Sequence, residues 1–357
     1  MQEASFINWL KEKGLFSQIS ANYSCFSRIF EDHFKIKKRD SLLIIGDCGE
    51  PMKRTAAIVT GCYLIAAKRL GLQYKLVLQK PKYPGDKSDL NVIHALDNLQ
   101  DGNFITISVS GKLGSLSRLG KSFRKIVHDK RFKFVSTLNL SELPTTRLSY
   151  LVDAIDIDYP KLQTNAARIE RILTHGSRVK IMTKAGTNLE IGIAGMKAIP
   201  NDGKFHTKSG NIPVGEVYLP PRRDQVDGRL VIDGSVKTRW GTHIITGSPV
   251  SLIIKKGRVM EIIGNNEAAK KLRETLDWAE KKSKHHWGVR RIGELGIGIN
   301  PKAKIVGPTI INEKALGTAH IAIGSNAWFG GTIYSIIHLD QVFKNPQIWV
   351  DGKKLII

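Results

Sequence analysis

Cysteine is scarce in this chain: Cys25, Cys48 and Cys62 are the whole complement, an odd number at spacings used by neither a metal site nor a disulfide framework. Such thiols suit a reducing compartment, where cysteine serves as a small apolar core residue. Aromatic residues are few, at 7%. The basic runs Lys35-Ile36-Lys37-Lys38-Arg39, Lys121-Ser122-Phe123-Arg124-Lys125 and Lys281-Lys282-Ser283-Lys284 lack the interleaved aromatic pairs on which single-stranded nucleic acid stacks. Acidic residues fall short of basic ones, 32 against 55, for a formal charge of +23. A phosphate-rich partner is compatible with that excess, yet it is spread along the whole chain, so nucleic acid is a secondary expectation. No apolar run reaches the roughly 18 to 20 residues of a membrane-spanning helix, and Met1-Gln2-Glu3-Ala4-Ser5 lacks the layout of a signal peptide. The expectation is a cytoplasmic protein with no membrane partner.

Hydrophobic residues make up 41% of the 357 and charged residues 24%, the composition of a folded protein long enough for two domains. The first part alternates strand-like and helix-like segments. Strands are expected at Leu42-Leu43-Ile44-Ile45-Gly46, at 73–78, at 105–109 and at 132–136, with a helix over 53–70. This alternation predicts an α/β N-terminal domain with a mostly parallel sheet, over residues 1–165. The glycine turns Gly46-Asp47-Cys48-Gly49 and Gly111-Lys112-Leu113-Gly114 spell neither a dinucleotide fingerprint nor a P-loop, and read as turns at strand ends.

After a helical stretch at 165–174 the texture changes. Residues 178–183 and 188–193 read as paired strands, 229–234, 250–255 and 259–263 continue the pattern, and one strong helix interrupts at about 266–286. A strand-rich α+β C-terminal domain is expected over 166–357. Six of the ten histidines lie after residue 200, near glycine-dense segments that carry carboxylates. In His338-Leu339-Asp340, the period of two of a strand sends an imidazole and a carboxylate to one face, where both can meet a cation. His320 begins an alternating strand of its own. With Glu216 and Glu294 from neighbouring loops, the set is two imidazoles and three carboxylates, enough for one metal or a bridged pair.

The motifs Asn211-Ile212-Pro213-Val214-Gly215-Glu216-Val217, Gly293-Glu294-Leu295-Gly296-Ile297-Gly298-Ile299-Asn300-Pro301, Glu313-Lys314-Ala315-Leu316-Gly317-Thr318-Ala319-His320-Ile321-Ala322-Ile323-Gly324 and His338-Leu339-Asp340 occur in that order. Together they resemble the aminopeptidase T (leucyl aminopeptidase) family of metallo-exopeptidases, whose superfamily includes 2,5-dihydroxypyridine dioxygenases. The resemblance covers about 205–352 strongly and the N-terminal half weakly. It implies that Glu216, Glu294, His320, His338 and Asp340 are metal ligands for two divalent ions (Zn, Co or Mn). It also implies water as the nucleophile, a carboxylate such as Glu216 doubling as base, a peptide substrate and a homodimer.

One departure bears on activity. The aminopeptidases have a tyrosine seven residues beyond the histidine matching His320, and Ala327 stands there, with Trp328 beside it. Tyr334 is the nearby candidate to replace it as a catalytic group. Loss of an oxyanion donor costs about 100- to 1,000-fold in turnover. The short spacer with Gly330-Gly331 resembles the dioxygenase side, in which His320, His338 and Asp340 would form a facial triad on one Fe(II) that leaves room for O₂ and a ring substrate. A non-catalytic or nucleic-acid-binding relative that kept the fold is the third alternative. His206 and Trp328 are expected at the substrate pocket. His285-His286 are expected to stabilise a helix end, Arg222-Arg223 to be exposed charges, and Glu313 to orient neighbouring loops.

Overall fold

The computed structural model describes residues 2–357. The chain divides into two compact units, one running to Asp156 and regaining Gly203–Pro213, the other comprising Ile157–Asp202 and Val214–Ile357. The division therefore falls earlier than 165. A cut there would split one continuous helix, Tyr159–His175, started by Asp158, whose side chain accepts the N–H of Lys161, and by Pro160 in its first turn.

The N-terminal unit is α/β, as the alternating segments predict. Its elements are helices α1 (Glu3–Glu12) and α2 (Phe16–Arg28), strand β1 (Ser41–Asp47), α3 (Thr55–Arg69), β2 (Gln73–Gln79), α4 (Leu90–Asp97), β3 (Phe104–Ser108), α5 (Phe123–Asp129), β4 (Lys133–Thr137) and α6 (Leu148–Ile155). The short strand β8 (Gly210–Asn211) completes a parallel sheet ordered β2-β1-β3-β4-β8. β1 is buried on both faces, which is why its sequence is a continuous apolar run rather than an alternation. α3 packs so closely on β1 that a Cβ at Gly46 would stand 2.1 Å from Thr60 Oγ1.

The C-terminal unit opens with α7 (Tyr159–His175) and continues through β5 (Arg178–Met182), β6 (Asn188–Gly192), β7 (Ile199–Asn201), β9 (Glu216–Leu219), β10 (Val226–Ile232), β11 (Ser235–Thr238), β12 (Gly241–Ile244), β13 (Val250–Lys255) and β14 (Arg258–Ile263). It closes with α8 (Glu267–Lys282), β15 (Ile292–Gly298), α9 (Thr309–Asn312), β16 (Thr318–Gly324), β17 (His338–Lys344), β18 (Gln347–Val350) and β19 (Lys353–Leu355). These strands make two antiparallel seven-stranded sheets, β14-β13-β10-β6-β5-β18-β19 and β12-β11-β17-β16-β15-β9-β7. α8 ends at Lys282, short of the expected 286, and leaves His285 and His286 beyond its last turn. Among the described residues no helix is long and apolar enough to cross a membrane.

Candidate metal centre

The second sheet places β17, β16, β15 and β9 side by side, and each carries at least one of the five expected ligands. Gly296 pairs with His320, Gly298 with Glu216, Ala322 with both Glu294 and Asp340, and Gly324 with His338. Side chains alternate along each strand. Leu295, Ile297, Ile321 and Ile323 therefore point to the opposite face, where all four are fully buried. On the ligand face the intervening positions are Gly296, Gly298, Ala322 and Gly324. Their small size leaves the volume into which five long polar side chains converge. The glycine-rich motifs are thus a carpet for the ligands.

Glu294 stands at the middle. Its Oε1 lies 3.1 Å from His320 Nε2 and its Oε2 lies 3.5 Å from His338 Nε2. Glu216 Oε2 is 3.7 Å from His320 Nε2, and Asp340 Oδ1 is 3.1 Å from His338 Nε2. His338 Nδ1 donates to the carbonyl of Ser325 at 2.8 Å, which leaves Nε2 as the atom for an ion. Three sets of ligand atoms lie within 4.8 Å of one another: Glu216/Glu294/His320, Glu294/His338/Asp340 and Glu313/His320/Asp340. None of the three contains both histidines.

Lys314 is a component that motif reading did not assign. It is fully buried, and its ammonium donates to Oε1 of Glu216 and, at 2.6 Å, to Oε1 of Glu313. The available signal was a charged pair, Glu313-Lys314, inside the apolar stretch 310–316. Asn300 holds this arrangement together. Its Nδ2 donates to Val214 O at 2.7 Å, its N–H donates to Lys314 O at 2.8 Å, and its side chain lies so close to Gly215 that a Cβ there would be 2.5 Å from Asn300 Cβ.

The electrostatics are those of a cation site. Four carboxylates surround one ammonium and two imidazoles, and Glu216 Oε2 is buried without a hydrogen-bond partner. Burial pulls His320 down, but Glu294, Asp340 and Glu216 outweigh it and raise its pKa to about 9. Burial likewise opposes charge on His338, while Asp340 and Glu294 lift it to about 10. Burial pushes Glu294 up, and it takes Glu313 to about 8 against the pull of Lys314. Burial resists ionisation of Asp340 as well, yet His338 holds it below the usual carboxylate range. Nitrogen and carboxylate donors around an orphaned anionic oxygen fit one or two divalent ions of the Zn, Mn or Fe type.

The remaining expected residues are more dispersed. Trp328 is 40% exposed and its ring meets that of His338 edge-on at 4.9 Å, with Phe329 6.2 Å from the same imidazole. Tyr334 is 55% exposed and lies against His285, 5.6 Å between centroids. That contact, rather than a helix end, is what occupies His285. His206 belongs to the N-terminal unit, with its Nδ1 buried and unpartnered. Arg223 is half-exposed, pairs with Asp224 at 3.3 Å and lies over the Trp287 ring at 5.8 Å. Glu313 bonds Lys314 and also has an oxygen within 4.8 Å of ligand atoms of His320 and Asp340.

The chain thus combines a parallel α/β unit with a unit of antiparallel sheets that bears a buried carboxylate–histidine cluster. The family model for NicX, 2,5-dihydroxypyridine 5,6-dioxygenase, matches residues 157–357, more than half of the chain, and the chain belongs to that family. Among solved structures, the 2,5-dihydroxypyridine dioxygenase from Pseudomonas putida KT2440 is similar with a TM-score of 0.70 and 16% identity, over 95% of this chain and 96% of that one. Wild-type AmpT from Thermus thermophilus is similar with a TM-score of 0.62 and 14% identity, over 95% and 97%. At those identities the likeness is one of fold. No curated protein sequence matches. The expected superfamily thus holds. The choice of aminopeptidase T within it is not shown: the matching family model is that of the dioxygenase, and the likeness to AmpT is one of fold.

Proposed function

We propose that the chain is a two-metal hydrolase of the aminopeptidase kind, removing N-terminal residues from peptides. The observation that carries this reading is Glu294, which turns one carboxylate oxygen to each histidine and is shared by two of the three ligand sets. Such a donor set would suit a pair of divalent ions held side by side. A facial triad would need both imidazoles on one ion. Glu216, Glu294 and His320 would hold one ion, and Glu294, His338 and Asp340 the other. Bound divalent ions would polarise a scissile carbonyl and acidify water.

The chain's own residues do the rest. Ser325 fixes the His338 tautomer, Lys314 fixes Glu216, and Trp328 forms an apolar wall beside His338 for the side chain of the residue removed. Glu313, whose carboxyl burial pushes upward, is suited to proton transfer. Ala327 supplies no oxyanion donor, so turnover is expected to be slow.

A ring-cleaving Fe(II) dioxygenase is the second reading, favoured by the family model and by the Trp328 and Phe329 rings at His338. Elemental analysis of protein purified without chelator, run beside peptide hydrolysis and O₂ uptake with dihydroxylated pyridines, separates the two. Two ions per chain with release of N-terminal residues are expected. A single iron with O₂ consumption would replace the hydrolase by the dioxygenase.

A further inference from the structure

We infer that Lys314 is the positioning residue of the metal cluster: its ammonium holds one oxygen of Glu216 and so leaves that residue a single oxygen for an ion. The inference rests on the reading of the cluster as a divalent-metal site, and it deepens that reading.

The geometry carries it. Lys314 is fully buried, and both hydrogen bonds recorded for its ammonium are to carboxylates, Oε1 of Glu216 and Oε1 of Glu313. The other oxygen of Glu216, Oε2, has no hydrogen-bond partner and faces His320 Nε2 at 3.7 Å. One carboxylate is therefore split between a fixed cation and an open position. Glu313 could join His320 and Asp340 as a third ligand set, since its oxygen lies within 4.8 Å of theirs. Its Oε1 accepts from the same ammonium, so Lys314 ties Glu313 to Glu216.

The backbone makes the tie rigid. Asn300 donates its N–H to Lys314 O at 2.8 Å and its Nδ2 to Val214 O at 2.7 Å, so Lys314 and the strand entering Glu216 hang from one residue. A buried ammonium is tolerated only where carboxylates meet it. Here it also acts as a permanent cation that no chelator removes, and it fixes how many carboxylate oxygens are left for exchangeable ions.

Lys314→Met tests this, because it keeps the side chain's length and removes its charge. Zn²⁺ and Mn²⁺ affinities and ions per chain are measured by titration and elemental analysis, with circular dichroism to establish folding. Freed oxygens of Glu216 and Glu313 favour the harder ion. The ratio of Zn²⁺ to Mn²⁺ affinity is expected to fall roughly 10- to 100-fold, the usual size of effect when a ligand's hydrogen-bond partner is removed. A folded Lys314→Met protein with the wild-type ratio and ion count overturns the role of Lys314 alone. A wild type that takes up no ion overturns the metal-site reading and this inference with it. Should Lys314→Met not fold, Lys314→Gln, which keeps a donor without the charge, decides: a Zn²⁺ to Mn²⁺ ratio shifted from that of the wild type supports the inference, and the wild-type ratio overturns it.

Discussion

Gly296 lies directly against the imidazole of His320, so that a Cβ at position 296 would stand 2.1 Å from both Cε1 and Nε2 of the ring. The two residues are register partners on β15 and β16, and Nε2 is the nitrogen that meets Glu294. Gly296→Ala must therefore push the imidazole away from its carboxylate partners. The expected result is a destabilisation of about 1–3 kcal/mol, typical of overpacking, together with loss of bound metal. Gly247→Ala, where a Cβ meets nothing within 4 Å, is the control. Chemical denaturation and elemental analysis of both variants check it, and full metal content in Gly296→Ala would contradict the placement of His320.

The metal-free protein has a pH dependence of definite sign. His320 and His338 are raised to about 9 and about 10 by their carboxylate partners, which outweigh burial, and burial raises Glu313 to about 8. A histidine whose folded pKa is raised contributes stability fully below its ordinary value of about 6.5 and loses it as pH rises through the folded value. Glu313 contributes with the same sign, as its raised carboxyl must ionise on the way to pH 8. Asp340, held low, loses its contribution only in acid. The Tm of chelated protein should thus fall between pH 7 and 10. Metal added back should flatten the curve, because ions replace the protons on the imidazoles. A chelated protein whose Tm is level or rising over that window would mean that the cluster is not assembled as described.

Much of this architecture is legible in local sequence, because the signals are local. The runs at 42–46 and 105–109 become the strands β1 and β3 at the heart of the parallel sheet, and the His338-Leu339-Asp340 pair does share one face of β17. What local pattern cannot carry is distance along the chain. The return of 203–213 to the N-terminal unit depends on β4 accepting a two-residue strand at Val135 and Ser136, which is too short to leave a periodicity. Lys314 reads as an ordinary solvated charge until the fold brings Glu216 to it from 98 positions earlier. Tyr334 is the converse case, chosen for nearness in sequence and found against His285 with the two rings tilted.

Asn326 holds the loop that follows β16. It is almost fully buried, its Nδ2 donates to Gly293 O at 2.9 Å, its Oδ1 accepts from Ile333 N at 2.8 Å, and a Cβ at Gly331 would overlap its amide at 2.0 Å. The adjacent Ser325 carbonyl is the acceptor for His338 Nδ1. Asn326→Ala leaves buried backbone groups unpaired, at a cost of about 1–3 kcal/mol, and frees the loop that orients His338. Weaker metal retention on dialysis should accompany the loss in stability. An Asn326→Ala protein that is less stable yet holds metal as tightly as the wild type would separate the loop from the site.

Trp328 offers the sharpest separation of substrate binding from metal binding. It leans on His338 at 4.9 Å between centroids and is 40% exposed, so part of the indole faces solvent next to the ligands. A substrate side chain buried there would gain about 1.5–3 kcal/mol, and removing the wall gives roughly a 10- to 150-fold rise in KM. The ligand atoms themselves are carried by β9, β15, β16 and β17, so Trp328→Ala should leave the number of ions unchanged. Steady-state kinetics on substrates with large and small apolar leading groups read the first effect, and elemental analysis reads the second. Equal KM values for the variant and the wild type would remove Trp328 from the substrate pocket, whereas loss of metal would make it a support for His338.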